Sequence, residues 1–469
     1  YPPPGSSYNQ PKNPEAAYLW RWTLMSAPDL VVDIRQGKST AWFVPKFQGQ
    51  TFPNLKGLSP RYNIISPGKF SSELFRSSPT DAVAERLKIR PVSASIPAIR
   101  LDTKNSEFLK TLLQSLSESN FPTPSPARKE LQQRTSRSAI QVATELSKVY
   151  GQELSSPVYT KALSLVARIR LDDLLNQNES LSDVERIVAP YTTGKKQALT
   201  AKNSGSVFAG HLIFAELASR TGKKRYIELV AAVADRGFNS QGNPLPAMPA
   251  HSEMSDAVFM SCPILVAAGK LTGDQKYYDF AITHMQFMRN LNVRENGLHR
   301  HSPLDETPWG RGNGFPALGL AWSLTDLPKT HAGREAMEAA FKEHLQALLK
   351  YQDPNGMWHQ VVNHEGSYRE MTSTCMITFA MIRGVRLGIL KEADYQPAIT
   401  KAWTAIKSRI TPTGVLVDVC TGTGKQKNLR GYFDRTAILG KDDRGGAMAI
   451  TVSVEMATWQ QEQLRDNNK

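Results

Sequence analysis

Thr221-Gly222-Lys223-Lys224-Arg225-Tyr226 and Thr272-Gly273-Asp274-Gln275-Lys276-Tyr277 are two copies of one turn, 51 residues apart. Each copy sits between two helical patterns. Phe208, Leu212, Ala215 and Ala218 precede the first at helical spacing, and Tyr226, Leu229, Val230 and Val233 follow it. The second joins an apolar run over 258–271 to Tyr277, Phe280, Ala281, His284, Met285 and Met288. A glycine just past an apolar helix stops it, because glycine enters the left-handed conformation without a Cβ clash. The chain therefore carries an internal repeat of helix hairpins, each too small to bury its apolar face alone.

Working outward, further pairs fall at 315–324 with 334–351 and at 373–390 with 393–410, and a last helix is expected over about 445–463. Helical spacing also marks 136–150 and 158–175. Hairpins of this period can stack as an open solenoid or close into a ring. The loops between them differ strongly in chemistry, which favours the ring, since repeats that bind by stacking keep uniform loops. The expected fold is mainly α: an α/α six-hairpin toroid over 104–469, preceded by an irregular, partly β extension over 1–103. That extension opens on Pro2-Pro3-Pro4-Gly5 and holds short strand-like runs at 31–34 and 40–44. Its Trp20, Trp22 and Trp42 read as core anchors rather than sugar platforms.

Composition narrows the function. Forty per cent apolar and 8% aromatic residues suit a globular chain, and no apolar run reaches bilayer length. A net charge of +14 favours anionic partners. Nucleic acid is not expected, because zinc-finger spacing, aromatic-basic motifs and long basic runs are all missing. Gly37-Lys38-Ser39-Thr40 is no phosphate loop, since Val32 stands where the leading glycine is required. Thr421-Gly-Thr-Gly424 likewise lacks a strand-then-helix setting. Cys262, Cys375 and Cys420 are too few and scattered for a disulfide framework or zinc site, and read as buried structural thiols. No cofactor is implied. The opening Tyr1-Pro-Pro-Pro shows no leader, so a secreted or periplasmic protein with its signal peptide removed is expected, with a cytoplasmic one as the alternative.

Four clusters could do chemistry. The first is His251-Ser-Glu253-Met-Ser-Asp256, where Asp256 is either an acid/base group or a helix N-cap. The second holds His299, His301, Trp309, Arg311 and Asn313 around closely spaced glycines. There Trp offers a flat apolar face to a sugar ring and Arg a planar fork to a carboxylate. The third is Trp358-His359-Gln360, expected to be exposed after a turn. The fourth is Arg369-Glu370-Met-Thr372-Ser373, a binding element or a polar cap for the next helix. His299 and His301 alternate without a third ligand at metal spacing, so no metal site is expected.

Asp256 with Phe259-Met260 and Pro263, Thr272 to Tyr277, Gly297-Leu298 to His301, and Trp309-Gly-Arg-Gly-Asn-Gly314 follow one another in a telling order. Gly356-Met-Trp358-His-Gln360, Glu370-Met-Thr-Ser373 and Gly446-Ala-Met-Ala-Ile450 continue it to Glu455. Over about 200–460 the chain resembles the unsaturated uronyl hydrolases, glycoside hydrolase families 105 and 88. The resemblance implies a six-hairpin toroid that removes a 4,5-unsaturated uronate from the non-reducing end of lyase-generated acidic oligosaccharides, without a metal. It implies Asp256 as general acid/base. It places His211, His301, Trp309, Arg311, Asn313, Trp358, His359, Glu370, Thr372 and Ser373 at the substrate. The chain departs from the pattern twice. The second Asp that members carry on the preceding hairpin is missing from Gly205–His211, where His211 is the nearest titratable group, and Phe315 replaces a Trp after Gly314. A polysaccharide lyase on a similar toroid, a toroid that only binds acidic glycans and a protein-binding helix scaffold are the other readings.

Overall fold

Gly222 and Gly273 end their helices in the left-handed conformation, at φ +65° and +73°, with their N–H groups on the Ala218 and Gly269 carbonyls. The repeated turn thus does in the computed structural model what its sequence implies. In the second copy the Asp274 carboxylate also accepts the Lys276 N–H at 3.0 Å, so one short turn closes a helix and opens the next. The structure describes residues 124–467 except Asn203 and His251, and before them 22–23, 25–36, 41–45, 61–63, 98–103 and a few isolated positions.

By its internal contacts the chain divides into Tyr1–Ser136 and Arg137–Lys469. In the first unit β1 (Val31–Gln36), β2 (Ala41–Pro45), β3 (Arg61–Asn63) and β4 (Ala98–Thr103) form a sheet in the order β1-β4-β2-β3. β4 pairs parallel with β1 and antiparallel with β2, and α1 (Pro126–Ser136) follows. Trp22 is 65% exposed and so is no core anchor; the buried position there belongs to its neighbour Thr23. Trp20 and the Trp42 side chain lie outside the described residues.

The second unit is the expected toroid. Its inner layer consists of α3 (Tyr159–Leu175), α5 with α6 (Gly205–Gly210, Leu212–Thr221), α8 (Ala257–Thr272), α10 (Gly310–Asp326), α12 (Met371–Arg386) and α15 (Asp443–Asn467). Each packs on the next and α15 packs back on α3, which closes the ring. The outer layer is α2 (Ala139–Ser147), α4 (Glu179–Thr192), α7 (Lys224–Ala234), α9 (Gln275–Asn292), α11 (Arg334–Leu349) and α13 (Glu392–Ser408). The sixth hairpin is not consecutive in sequence: α15 takes α2 as its outer neighbour. Two small ribbons, β5 (Trp358–His359) with β6 (Arg369–Glu370) and β7 (Leu416–Cys420) with β8 (Ala437–Gly440), lie in the loops, with α14 (Leu429–Phe433) inside the second.

Sequence separates the layers. Residues 257–269, 310–324 and 371–384 are buried without exception, as expected for helices that are covered all round. Outer helices keep a stripe instead, such as Tyr226, Leu229, Val230 and Val233 of α7. Gly319 sets the distance between α10 and α8, since a Cβ there would stand 2.7 Å from the Phe259 N and Cα atoms. Gly319→Ala is therefore expected to destabilise the protein by about 1–3 kcal/mol through overpacking. The readout is the thermal midpoint by circular dichroism, and an unchanged midpoint would mean the two helices separate freely.

The axis of the ring is filled. Phe259 and Phe315 stack at 5.7 Å, with Tyr159 edge-on to both at 6.0 and 5.6 Å. Trp322 and Phe379 stack at 5.7 Å below them, and the Arg170 and Arg383 guanidiniums lie 4.8 and 4.9 Å from those rings. Ion pairs then close that end: Arg170–Glu216 at 2.8 Å, Lys270–Asp326 at 2.6 Å and Arg386–Glu455 at 2.6 Å. At the other mouth the starts of α8, α10 and α12 come together, through Ser255 on the Gly312 carbonyl at 2.7 Å and Arg311 on the Thr372 hydroxyl at 3.5 Å. Among the described residues no helix is long and apolar enough to cross a membrane.

Candidate active site

Asp256 occupies the N-cap position of α8, yet its side chain caps nothing. Its Oδ1 lies 3.3 Å from Nε2 of His301, close enough to interact though not aligned as a hydrogen bond. The segment before it is strained: Ser252 and Glu253 both take left-handed conformations, at φ +50° and +62°. Asn292 holds the Glu253 carbonyl at 3.2 Å, and Lys425 meets the Glu253 carboxylate at 3.1 Å. Ser255 then ties the start of α8 to its neighbours, with its N–H on the His301 carbonyl at 2.9 Å and its hydroxyl on the Gly312 carbonyl at 2.7 Å. His251 lies outside the described residues.

The motif from His299 to Gly314 forms the adjoining wall. The Tyr432 hydroxyl lies 3.0 Å from His301 Nδ1, and the Trp309 ring lies 4.5 Å from the His301 ring. Tyr432 stacks loosely on Trp309 at 6.2 Å, while the Arg311 guanidinium sits 4.6 Å from the Trp309 ring. Trp309 is therefore enclosed rather than open as a sugar platform, and its indole N–H has no partner among the described residues. Arg311 donates to the Cys420 and Thr421 carbonyls at 2.7 and 2.8 Å. Asn313 is a brace: it accepts the His299 N–H at 2.8 Å and donates to the His299 and Trp309 carbonyls at 2.8 and 2.9 Å.

Glu370 caps α12. Its carboxylate accepts the Thr372 and Ser373 N–H groups at 3.0 and 2.6 Å, the Thr372 hydroxyl, and the Cys420 N–H at 2.9 Å. The Ser373 hydroxyl returns to the Glu370 carbonyl at 3.2 Å. This network holds β7, whose end supplies the carbonyls that anchor Arg311. Trp358 and His359 are buried, not exposed as their turn suggested, because the β5–β6 ribbon folds them inward. The Trp358 ring N–H donates to the Leu348 carbonyl at 2.8 Å, and His359 spans the Ser367 carbonyl at 2.6 Å and Asp353 at 3.0 Å. His211 sits at the break between α5 and α6 with Nδ1 on the Val207 carbonyl at 2.7 Å. Burial pushes its imidazole down to about 4, so it is neutral at ordinary pH. Among the described residues no hydrogen bond, ion pair or ring contact joins His211 to Asp256, His301 or Trp309.

Of the residues assigned to catalysis or substrate from the resemblance, only Asp256 reaches solvent, with 14% of its side chain exposed; elsewhere in the four clusters Glu253 and Arg369 are also exposed in part. The structure thus brings Asp256, His301, Trp309 and Arg311 together, and sets Asn313, Glu370, Thr372 and Ser373 behind them as supports. Three neighbours carry no sequence motif: Tyr159, Tyr432 and Arg444. Burial holds the Tyr159 phenol above its ordinary range, with Arg311 and Arg444 pulling it down. Tyr432 could have been noticed as an aromatic pair with Phe433 in a basic loop. The others are single residues brought in from distant segments. Among the described residues no three His, Cys, Asp or Glu side chains gather where they could hold a metal ion.

A closed ring of helix hairpins with a solvent-reaching carboxyl among the starts of its inner helices defines an α/α toroid. The model of Glycosyl Hydrolase Family 88 matches residues 128–460, and the chain belongs to that family. It is 31% identical over 169 residues to the unsaturated 3S-rhamnoglycuronyl hydrolase of Formosa agariphila, covering 32% of this chain and 45% of that protein. To the unsaturated rhamnogalacturonyl hydrolase YesR of Bacillus subtilis it is 30% identical over 188 residues, covering 38% and 52%. The matches thus span about half the length of these relatives. Among solved structures, a family 105 glycoside hydrolase of C. acetobutylicum has a TM-score of 0.58 at 19% identity, over 68% of this chain and 99% of that one. A possible family 105 member from Klebsiella pneumoniae has a TM-score of 0.59 at 21% identity, over 74% and 97%. At those identities the likeness shows the fold.

Proposed function

We propose that the protein removes the 4,5-unsaturated uronate from the non-reducing end of lyase-generated acidic oligosaccharides, with Asp256 as general acid/base. The observation that carries this reading is the Asp256 carboxyl itself. It stands at a helix start without capping it, beside His301, and it meets solvent where the residues assigned to substrate are buried. Charge supports the substrate class: the N-termini of α8 and α10 meet at this site with no side chain capping either, and a helix start is equivalent to roughly half a positive charge. A uronate carboxylate would be drawn there. The guanidinium of Arg311 adds to that field, while Asp442 at 3.5 Å offsets the charge of the partly exposed Arg444.

In this chemistry the Asp256 carboxyl gives its proton to C4 of the enol ether, and positive charge develops at C5 and its ring oxygen. Water adds at C5 and returns a proton to the carboxylate. The resulting hemiketal opens to a ketone, leaving C1 as a hemiacetal that expels the rest of the sugar. A positioned acid/base of this kind contributes about 10²–10⁴ in rate. A secreted or periplasmic location is part of the proposal, and cell fractionation would test it.

The deciding experiment offers lyase-generated oligosaccharides from pectin, ulvan, alginate and glycosaminoglycans, and follows the ultraviolet absorbance of the conjugated double bond. Absorbance is expected to fall on at least one of them. A rise on intact polysaccharide would instead establish a lyase. No change in either direction, with thermal protection by sugar, would leave a glycan-binding toroid.

A further inference from the structure

Tyr432 lies on α14, in the loop between β7 and β8, more than a hundred residues from the motif it touches. It is fully buried. Its backbone carbonyl accepts Gln360 Nε2 at 3.0 Å, and its hydroxyl oxygen accepts the Gln426 N–H at 3.0 Å. That same hydroxyl stands 3.0 Å from His301 Nδ1. The other ring nitrogen, Nε2, faces Asp256 Oδ1 at 3.3 Å. The three side chains form a row that ends at the partly exposed Asp256 carboxyl.

Proton placement along this row follows from the contacts. An imidazole lone pair aimed at an ionised carboxylate is repelled, so the carboxylate selects the tautomer that carries its proton on Nε2. Nδ1 is then an acceptor and requires a donor. Gln426 N–H and the Ser302 hydroxyl both donate to the Tyr432 oxygen, which leaves the phenol's own proton to go to Nδ1. Burial raises the phenol to about 12, so that proton stays in place across any working pH. Trp309 against one ring and the edge of Tyr432 at 5.5 Å leave the imidazole little room to turn.

We infer that Tyr432 is a positioning residue that holds His301 in the Nε2–H tautomer, so that His301 can stabilise the Asp256 carboxylate each time it has given up its proton. The inference rests on Asp256 being the acid/base group. It explains why the β7–β8 loop reaches across to the His301 motif, which nothing in the fold of the ring itself requires. Tyr432 touches no reacting atom and acts only through the imidazole.

The test is Tyr432→Phe, which keeps the ring and its stacking and removes only the hydroxyl. Ring ¹⁵N shifts of His301, assigned by comparison with His301→Gln, report its tautomer without any substrate. The wild type is expected to show a protonated Nε2 and an accepting Nδ1, and the variant to lose that signature. In turnover the variant is expected to lose on the order of tenfold in kcat with KM little changed, a fraction of the ~10²–10⁴ of the acid/base itself. A wild-type His301 protonated on Nδ1 would overturn the inference. So would a variant with unchanged tautomer and kcat, or one whose loss lies in KM alone, since that marks a substrate contact. Failure of the underlying reading looks different: Asp256→Asn would then retain turnover, whatever the tautomer shows.

Discussion

Asp256→Asn is expected to abolish turnover of unsaturated oligouronides while leaving the fold intact. The amide is nearly isosteric with the carboxyl but cannot give or take the proton, so the loss should be about 10²–10⁴ or more. Stability should change little, because Asp256 caps no helix and is partly exposed. The variant should still bind substrate, seen as a rise in thermal midpoint with added sugar. Separating these readouts matters. Lost turnover with binding kept identifies the proton-transfer group, whereas lost binding would assign Asp256 to recognition. Substantial retained activity would refute the assignment.

The largest stability effect is expected at the opposite mouth. Glu455 is buried on α15 and accepts from Arg383 Nε and Arg386 Nη1, each at 2.6 Å, while Arg383 also reaches Thr325 at 2.7 Å. Glu455→Ala leaves the Arg383 guanidinium buried with its partner gone, which costs about 3–5 kcal/mol. Arg386 keeps Glu462, so Arg383 bears most of the loss. Burial pushes the Glu455 carboxyl up, but Arg383 and Arg386 outweigh it and bring it down to about 2, against an ordinary 4.5. A carboxyl lowered on folding adds stability that is complete above 4.5 and lost as the pH falls from there toward 2. The gap in thermal midpoint between wild type and Glu455→Ala should therefore narrow on acidification through that window. A gap that stays constant with pH would show that packing, not charge, sets the effect.

The hairpins could be read from sequence because their signals are local. A glycine past an apolar stripe, and the Asp274 cap, act within one turn of the residues that reveal them. Closure of the ring was readable only indirectly, since the contact of α15 with α2 and α3 is long-range. At the site, the Trp309–Gly314 motif and Asp256 do meet. The errors there share one cause: sequence shows residue type but not exposure. Trp358 and His359 looked like ligand contacts because of their chemistry, yet each polar atom has a partner inside the protein. Glu370 fits both a binding role and a cap, and its hydrogen bonds make it a cap. Tyr432 and Arg444 come from a segment whose own sequence gives no hint that it crosses to the His301 motif or the Tyr159 helix.

The sixth hairpin has a consequence for how the molecule is made. Its outer member α2 emerges from the ribosome early, but α15, which must cover it, is synthesised roughly 300 residues later. Until then a nascent chain holds an unfinished arc with apolar flanks on α2 and α3 that nothing covers. Large non-local contacts of this kind slow folding and leave sticky intermediates. Tyr432 and Arg444 arrive in the same late stretch, so the mouth of the barrel is finished only when the ring shuts. The nascent arc is thus the stage at which a chaperone would matter most, and a chain interrupted before α15 would be inactive for want of both closure and its last site residues.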